Sequence, residues 1–200
     1  MLMVHTLVLG NYETNCYLVY RDENDECLVI DPGYEPRKVL SAAKALGLSI
    51  RAVLLTHGHF DHVGAVREIF AETDCDIYLC PDDCQMPEAM TAGQLCYTHS
   101  LQDADRLNIA GLELQVLHTP GHTPGSVCFL CENALFSGDT LFAGSCGRTD
   151  LPCGNWQDLK QSLARLMALE EDRIVYPGHG EASTLSTEKK HNPYLRQSVR

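Results

Sequence analysis

Thr56-His57-Gly58-His59-Phe60-Asp61-His62 constrains this chain more than any other stretch of it. Three imidazoles and one carboxylate crowd into positions 57–62, directly behind the apolar run Ala52-Val53-Leu54-Leu55. Neutral histidine together with aspartate suits zinc, iron or manganese far better than it suits a hydrophobic core. Solvated polar residues in a loop are the plainer alternative, but chance seldom produces His-x-His-x-Asp-His. A metal site fed by a buried strand is the reading that organises the rest.

Three later places repeat the same logic. Val116-Leu117 leads through Thr119-Pro120-Gly121 to His122, Leu135-Phe136-Ser137-Gly138 leads to Asp139, and Ile174-Val175-Tyr176-Pro177-Gly178 leads to His179. In each, an apolar strand gives way to Gly, Pro or both, and then to one metal-capable side chain. Glycine lets the backbone turn tightly and approach an ion with no Cβ in the way. Strand ends along one sheet edge converge, so these residues are expected to meet the His-rich loop. Five histidines and two aspartates are too many for one tetrahedral ion and suit two ions sharing a carboxylate. In an extended loop His57 and His59 project together, whereas Asp61 and His62 begin the next helix and point elsewhere. The expected partition is therefore His57, His59 and His122 on one ion and Asp61, His62 and His179 on the other, bridged by Asp139.

Patterning around these loops alternates strands with helices. Residues 2–9, 16–20, 27–30, 51–55 and 77–79 read as strands in the first half. A helix is expected from Pro36 to about Leu46, stopped by Gly47, and another over 63–71 from the spacing of Val63, Val66, Ile69 and Phe70. Residues 81–104 show no clear period and are expected to be a loop with a short helix, a candidate lid or substrate wall. Hairpins follow over 107–117, turning at Ala110-Gly111, and over 127–136, turning at Glu132-Asn133. An amphipathic helix spans 156–169, with Asn155 or Asp158 near its start, and a last strand covers 173–176 before a partly helical tail. No linker, repeat or low-complexity tract divides residues 1–200, so a single domain of packed sheets with helices outside is expected.

Composition narrows the partners. The formal charge of −12, with Arg and Lys scattered, argues against a nucleic-acid ligand, which needs a basic face. The amino-terminal residues lack the basic and long apolar regions of a signal peptide, and no apolar run approaches the ~20 residues that span a bilayer. A cytoplasmic enzyme with no membrane, nucleic-acid or protein partner is the expectation. Ten cysteines are many for this length, yet their spacings do not make a disulfide framework. Cys128 and Cys131 lie i, i+3 on an expected strand and so face opposite ways. Cys80-Pro-Asp-Asp-Cys84 offers a weak metal clip, but buried, reduced thiols are the stronger reading.

Taken together, Thr-His-Gly-His-Phe-Asp-His, Thr-Pro-Gly-His-Thr, Ser-Gly-Asp-Thr-Leu-Phe and Tyr-Pro-Gly-His-Gly, in this order, resemble the metallo-β-lactamase superfamily. Gly147-Arg148-Thr149-Asp150 sharpens the resemblance towards the glyoxalase II-like branch, hydroxyacylglutathione hydrolases and persulfide dioxygenases. The resemblance covers nearly the whole chain. It implies an α/β fold, a four-layered αβ/βα sandwich, with the metals at one sheet edge. It also implies two divalent ions, zinc first, with iron or manganese as alternatives. The chain ends soon after His179, without the helical extension that carries glutathione-binding residues in typical two-domain glyoxalase II. In this it resembles compact bacterial relatives with an Asn-Pro-Tyr-Leu tail like Asn192–Leu195.

The chemistry such a site implies is hydrolysis of a small-molecule thioester. A water shared by two ions has its pKa lowered towards neutrality, and the resulting hydroxide, oriented by Asp61 as the catalytic carboxylate, attacks the acyl carbonyl. Arg148 and Asp150 are expected to brace the site loop or meet substrate. Tyr97 and Tyr194 are weaker substrate candidates, for which packing is the plainer role. Asp31 resembles a residue that supports the ligands and is equally a turn residue, and His118 is placed near the site. The alternatives are an iron-dependent persulfide dioxygenase using His57, His122 and Asp139, or a lactonase or other ester hydrolase of the same fold.

Overall fold

The structure, a computed structural model, describes residues 1–198. In chain order the first half contains β1 (Leu2–Leu9), β2 (Thr14–Arg21), β3 (Glu26–Ile30), α1 (Pro36–Ala45), β4 (Ser49–Leu54), α2 (Phe60–Val63), α3 (Val66–Thr73), β5 (Asp76–Leu79), a 3-10 turn (Pro81–Gln85), α4 (Glu88–Thr91) and β6 (His99–Ser100). The second half contains β7 (Arg106–Ile109), β8 (Leu112–His118), β9 (Val127–Cys131), β10 (Ala134–Gly138), β11 (Leu141–Phe142), β12 (Ser145–Cys146), α5 (Trp156–Met167), β13 (Ile174–Pro177), β14 (Ser183–Thr184), α6 (Leu185–His191) and α7 (Pro193–Gln197).

Two six-stranded sheets result, ordered β1-β2-β3-β4-β5-β6 and β14-β13-β10-β9-β8-β7. Strands β3 to β6 run parallel, as do β10 and β13, while the hairpins are antiparallel. Successive residues of the central strands supply different cores. Tyr17, Val19, Leu28, Ile30, Ala52 and Leu54 meet Phe129 and Phe136 between the sheets. Cys16, Leu18, Cys27, Val29 and Val53 face the other way, onto Val39 of α1 and Ile69 of α3. Behind the second sheet, Cys128 and Leu135 pack on Leu159, Leu163 and Leu166 of α5. Three cores separate four layers, the αβ/βα sandwich. Strands buried on both faces are apolar throughout, which is why their period-2 alternation was masked in the sequence.

Local signals account for most boundaries. Pro36 occupies the first turn of α1, and Leu46 caps its carboxyl end before Gly47 at φ 73°. The Asn155 side chain caps α5 by accepting the backbone N–H of Gln157 at 2.9 Å. Leu159, Leu163 and Leu166 then recur on one face of α5 and are fully buried, worth roughly 2 kcal/mol each. Leu163→Ala would cost about 2–5 kcal/mol through the cavity it leaves.

One expectation is corrected. The helix over 63–71 is two helices, α2 and α3, broken at Gly64-Ala65. The break follows from packing: Ala65 N–H donates to Pro32 O at 3.0 Å, and a Cβ on Gly64 would stand 2.3 Å from Gly33 O. The chain is thus held against the Asp31-Pro32-Gly33 turn instead of continuing its own ladder. The hairpin β11–β12 was also unforeseen, since two-residue strands leave no period to read. No helix among the described residues is long and apolar enough to cross a membrane.

Candidate metal centre

The His-rich loop leaves the carboxyl end of β4 and enters α2. The loops after β8, β10 and β13 bring His122, Asp139 and His179 to the same place, so the site is fed by both sheets and not by the edge of one. His57, His59 and His122 form one group whose ligand atoms lie within 4.8 Å of one another, and Asp61, His62 and His179 form another. In the first group His59 Nδ1 and His122 Nε2 are 2.9 Å apart. In the second, His62 Nε2 lies 3.3 Å from His179 Nε2, and Asp61 Oδ2 lies 3.3 Å from His179 Nε2. Asp139 stands between them, with Oδ2 at 3.4 Å from His122 Nε2 and 3.6 Å from His179 Nε2, and Oδ1 at 3.5 Å from His62 Nε2.

Outer hydrogen bonds decide which ring nitrogen is left for the centre. Nδ1 of His57 meets Thr56 Oγ1 at 3.0 Å, that of His62 meets Asp31 Oδ2 at 3.0 Å, that of His122 meets Arg148 O at 2.7 Å, and that of His179 meets Tyr12 O at 3.0 Å. A ring whose Nδ1–H is engaged presents the lone pair of Nε2 inward, which fixes tautomer and orientation together. His57 Nε2 and Asp139 Oδ1 are buried without a hydrogen-bond partner, a costly arrangement unless a ligand meets them. Nitrogen and carboxylate donors converging at these spacings fit divalent cations.

Electrostatics divide the two groups. Burial, reinforced by neighbouring histidines, drives His57 well below its ordinary range and His59 down to about 4. Burial also opposes a charge on His62, but Asp139, Asp31 and Asp61 outweigh it and lift that ring to about 9. His179 is likewise raised, its burial overcome by the hydrogen bond it donates to Asp61 and by the charge of Asp139. Asp61 itself is held at about 2, because His179 and His62 outweigh its own desolvation.

Several supporting residues left no mark in the sequence. Asp83, on the 3-10 turn, is fully buried and accepts the backbone N–H of Gly58 and of Gly125, each at 2.6 Å, and the Thr123 hydroxyl at 3.0 Å. Thr14 Oγ1 lies 3.4 Å from Asp61 Oδ2, and the Asn15 amide and Tyr17 hydroxyl donate to Pro177 O at 3.0 and 2.6 Å, fixing the approach to His179. Asp31 is both things expected of it: a turn residue at φ 50° and the partner of Thr56 and His62.

The cleft above the ligands has a volume of about 410 Å³. Its walls are largely apolar, with Tyr12, Phe60, Met90, Phe142 and Leu151 among them, and Arg148 and Cys146 at the rim. Met90 comes from α4, so part of the illegible segment does supply a wall. Arg148 pairs bidentately with Asp150 at 2.7 Å in the open, while its backbone carbonyl holds His122. Tyr97 and Tyr194 are corrected. Tyr97 lines a separate groove with Cys84 and Leu95, and Tyr194 lies edge-on to Trp156, so neither lines this cleft. His118 is also displaced from it, facing Asp82 and the Pro124 carbonyl.

This fold and cleft define a class, the metal-dependent hydrolases. The sequence model of the Metallo-beta-lactamase superfamily matches residues 9–179. The chain is 37% identical to the probable metallo-hydrolase YqgX of Bacillus subtilis, over 94% of each protein. It is 34% identical to the hydroxyacylglutathione hydrolase GloC of Haemophilus influenzae, over 92% of this chain and 93% of that one. The crystal structure of TTHA1623 in a di-iron-bound form superposes with a TM-score of 0.85 at 40% identity, covering 95% and 99% of the two chains. The chain belongs to the metallo-β-lactamase superfamily, as a compact glyoxalase II-like metallo-hydrolase.

Proposed function

We propose that this protein hydrolyses small thioesters of the hydroxyacylglutathione type. The observation that carries the reading is Asp139, whose carboxylate reaches both histidine groups at the floor of an apolar-walled cleft. His57, His59 and His122 would hold one divalent ion and Asp61, His62 and His179 a second, with Asp139 shared. Such ions, when bound, supply Lewis acidity towards an acyl carbonyl and lower the pKa of a water to near neutrality.

The chain's own residues supply the rest. Asp61 is an ionised acceptor, held by Thr14 and His179, placed to receive a hydrogen bond from the attacking water and set its direction. Tyr12, Phe60, Met90 and Phe142 cover the apolar part of the substrate and keep bulk water from the reacting carbon. A thiolate leaves readily, so thioester cleavage needs no separate general acid beside it. The similarity to GloC supports this substrate class.

Either zinc or iron fits a nitrogen and carboxylate donor set, and TTHA1623 is described with two irons. The test is a panel assay on zinc-loaded and iron-loaded protein. It should hydrolyse S-D-lactoylglutathione or a related acyl thioester at least 100-fold faster than a lactone or a β-lactam. Oxygen uptake with glutathione persulfide in place of thioester turnover would replace this reading with the dioxygenase.

A further inference from the structure

Outside the main cleft, the described residues contain one other mixed cluster of soft and hard donors. Cys80 follows β5 in the first sheet, Asp82 opens the 3-10 turn, and His118 ends β8 in the second sheet. One ligand atom of each lies within 4.8 Å of the other two, and Asp82 Oδ2 is 3.9 Å from His118 Nε2. We propose that Cys80, Asp82 and His118 form a peripheral divalent-metal site, of the thiolate–imidazole–carboxylate kind that zinc accepts.

The surroundings are those of a held ligand set. Without an ion His118 Nε2 lies 2.9 Å from Pro124 O, a hydrogen bond that Nε2 gives up to take the metal, while the residue's backbone N–H stays fixed to Asp103 Oδ1 at 2.8 Å. Arg165 donates to the His118 carbonyl at 3.1 Å. Cys80 is buried at the floor, whereas Asp82 and His118 reach solvent, so an ion can enter from one side. A cleft of about 240 Å³ lined by Cys80, Asp82, Gln102, Asp103 and His118 has room for a water as fourth ligand. Binding replaces the Sγ–H bond of Cys80 with a sulfur–metal bond and releases that proton to solvent.

The site would tie the two sheets together at a useful place. Asp83, the neighbour of Asp82, holds the backbone of the His57–His59 loop and the loop after His122. His118 ends β8, the strand whose following loop carries His122. An ion joining Asp82 to His118 therefore links the turn that carries Asp83 to the strand that leads to His122.

Cobalt(II) substitution separates this site from the main one, whose seven side chains contain no sulfur. Titration of the full chain to saturation should raise a thiolate-to-cobalt charge-transfer band in the near ultraviolet, which zinc then bleaches. Cys80→Ser should abolish the band. Asp82→Asn and His118→Gln, at partly exposed positions, should each raise the cobalt midpoint at least tenfold. Cys146→Ser should keep the band, which excludes the thiol beside the main cleft. Absence of the band in the unaltered protein overturns the proposal, as does a band that survives Cys80→Ser. Should Cys80→Ser fail to fold, an unchanged midpoint in both Asp82→Asn and His118→Gln overturns it equally.

Discussion

Asp83 Oδ2 accepts the backbone N–H of Gly58, the residue between His57 and His59, at 2.6 Å. The other oxygen of the same buried carboxylate takes Gly125 N–H at 2.6 Å, so one side chain joins two ligand loops that are far apart in sequence. Desolvation pushes this carboxyl up from its ordinary range, against the hydrogen bonds it accepts. Asp83→Ala leaves the two N–H groups and the Thr123 hydroxyl without their acceptor. The expected cost is about 3 kcal/mol or more in urea unfolding, with a parallel loss of bound metal. Asp83→Asn should fall between. A loss below about 1 kcal/mol with full metal content would show that the carboxylate does not organise the loops.

Gly178 is fixed by what lies against it. A Cβ there would stand 2.1 Å from Asp139 Oδ1 and 2.8 Å from His62 Cε1, while Gly178 N–H donates to Gly138 O at 2.8 Å. Gly178→Ala must displace the carboxylate that links the two histidine groups. We expect turnover to fall by at least 100-fold and the metal content to drop, with an unfolding midpoint close to that of the unaltered protein. Normal turnover would mean that Asp139 need not sit where it does.

The ligand loops were legible because each announces itself locally: an apolar strand, a glycine, then a histidine or aspartate. The expected partition rests on the same local logic, since His57 and His59 precede α2 whereas Asp61 and His62 lie on it. What escaped was support from a distance. Asp83 sits in a stretch without periodicity, and nothing local distinguishes it from Asp82, which is only partly buried. Asn15 and Tyr17 look like ordinary strand residues, yet their partner, Pro177, lies at the other end of the chain. Tyr97 and Tyr194 failed for the converse reason: an aromatic ring shows no preference in sequence between a cleft and a packing contact. The split between α2 and α3 was set by the Asp31–Gly33 turn, a tertiary contact that overrode a continuous apolar period.

The buried thiols give an alkaline limit to stability. Burial pushes Cys80, Cys128, Cys131 and Cys146 up to about 11 and Cys27 up to about 12, against an ordinary 9.0. The native state therefore holds these protons more tightly than the unfolded chain. The stabilisation is complete below about pH 9 and is lost as pH rises through the folded values. Urea midpoints should fall steadily between pH 9 and 11, each such thiol adding up to about 1.4 kcal/mol per pH unit to the slope. Cys128→Ala removes one fully buried thiol and should flatten the fall. A variant that loses stability as steeply as the parent would remove Cys128 from this account.

Acidification should empty the two groups in order. In the metal-free protein His62 is lifted to about 9, its burial outweighed by Asp139, Asp31 and Asp61, and His179 is raised as well. Below pH 9 an ion entering the Asp61, His62 and His179 group must displace a proton from His62, so its apparent affinity falls up to about tenfold per pH unit. His57 is driven well below its ordinary range by burial, and His59 to about 4, so both are already deprotonated from pH 9 to pH 6. Protons thus compete far less for His57 and His59. Dialysis against a fixed free-zinc buffer, followed by metal analysis, should show the metal content per chain halving between pH 9 and pH 6. Asp31→Asn, which removes one charge facing His62, should lower the pH at which that step occurs. Simultaneous loss of both ions, or earlier loss from the first group, would reverse the assignment of which histidines compete with protons.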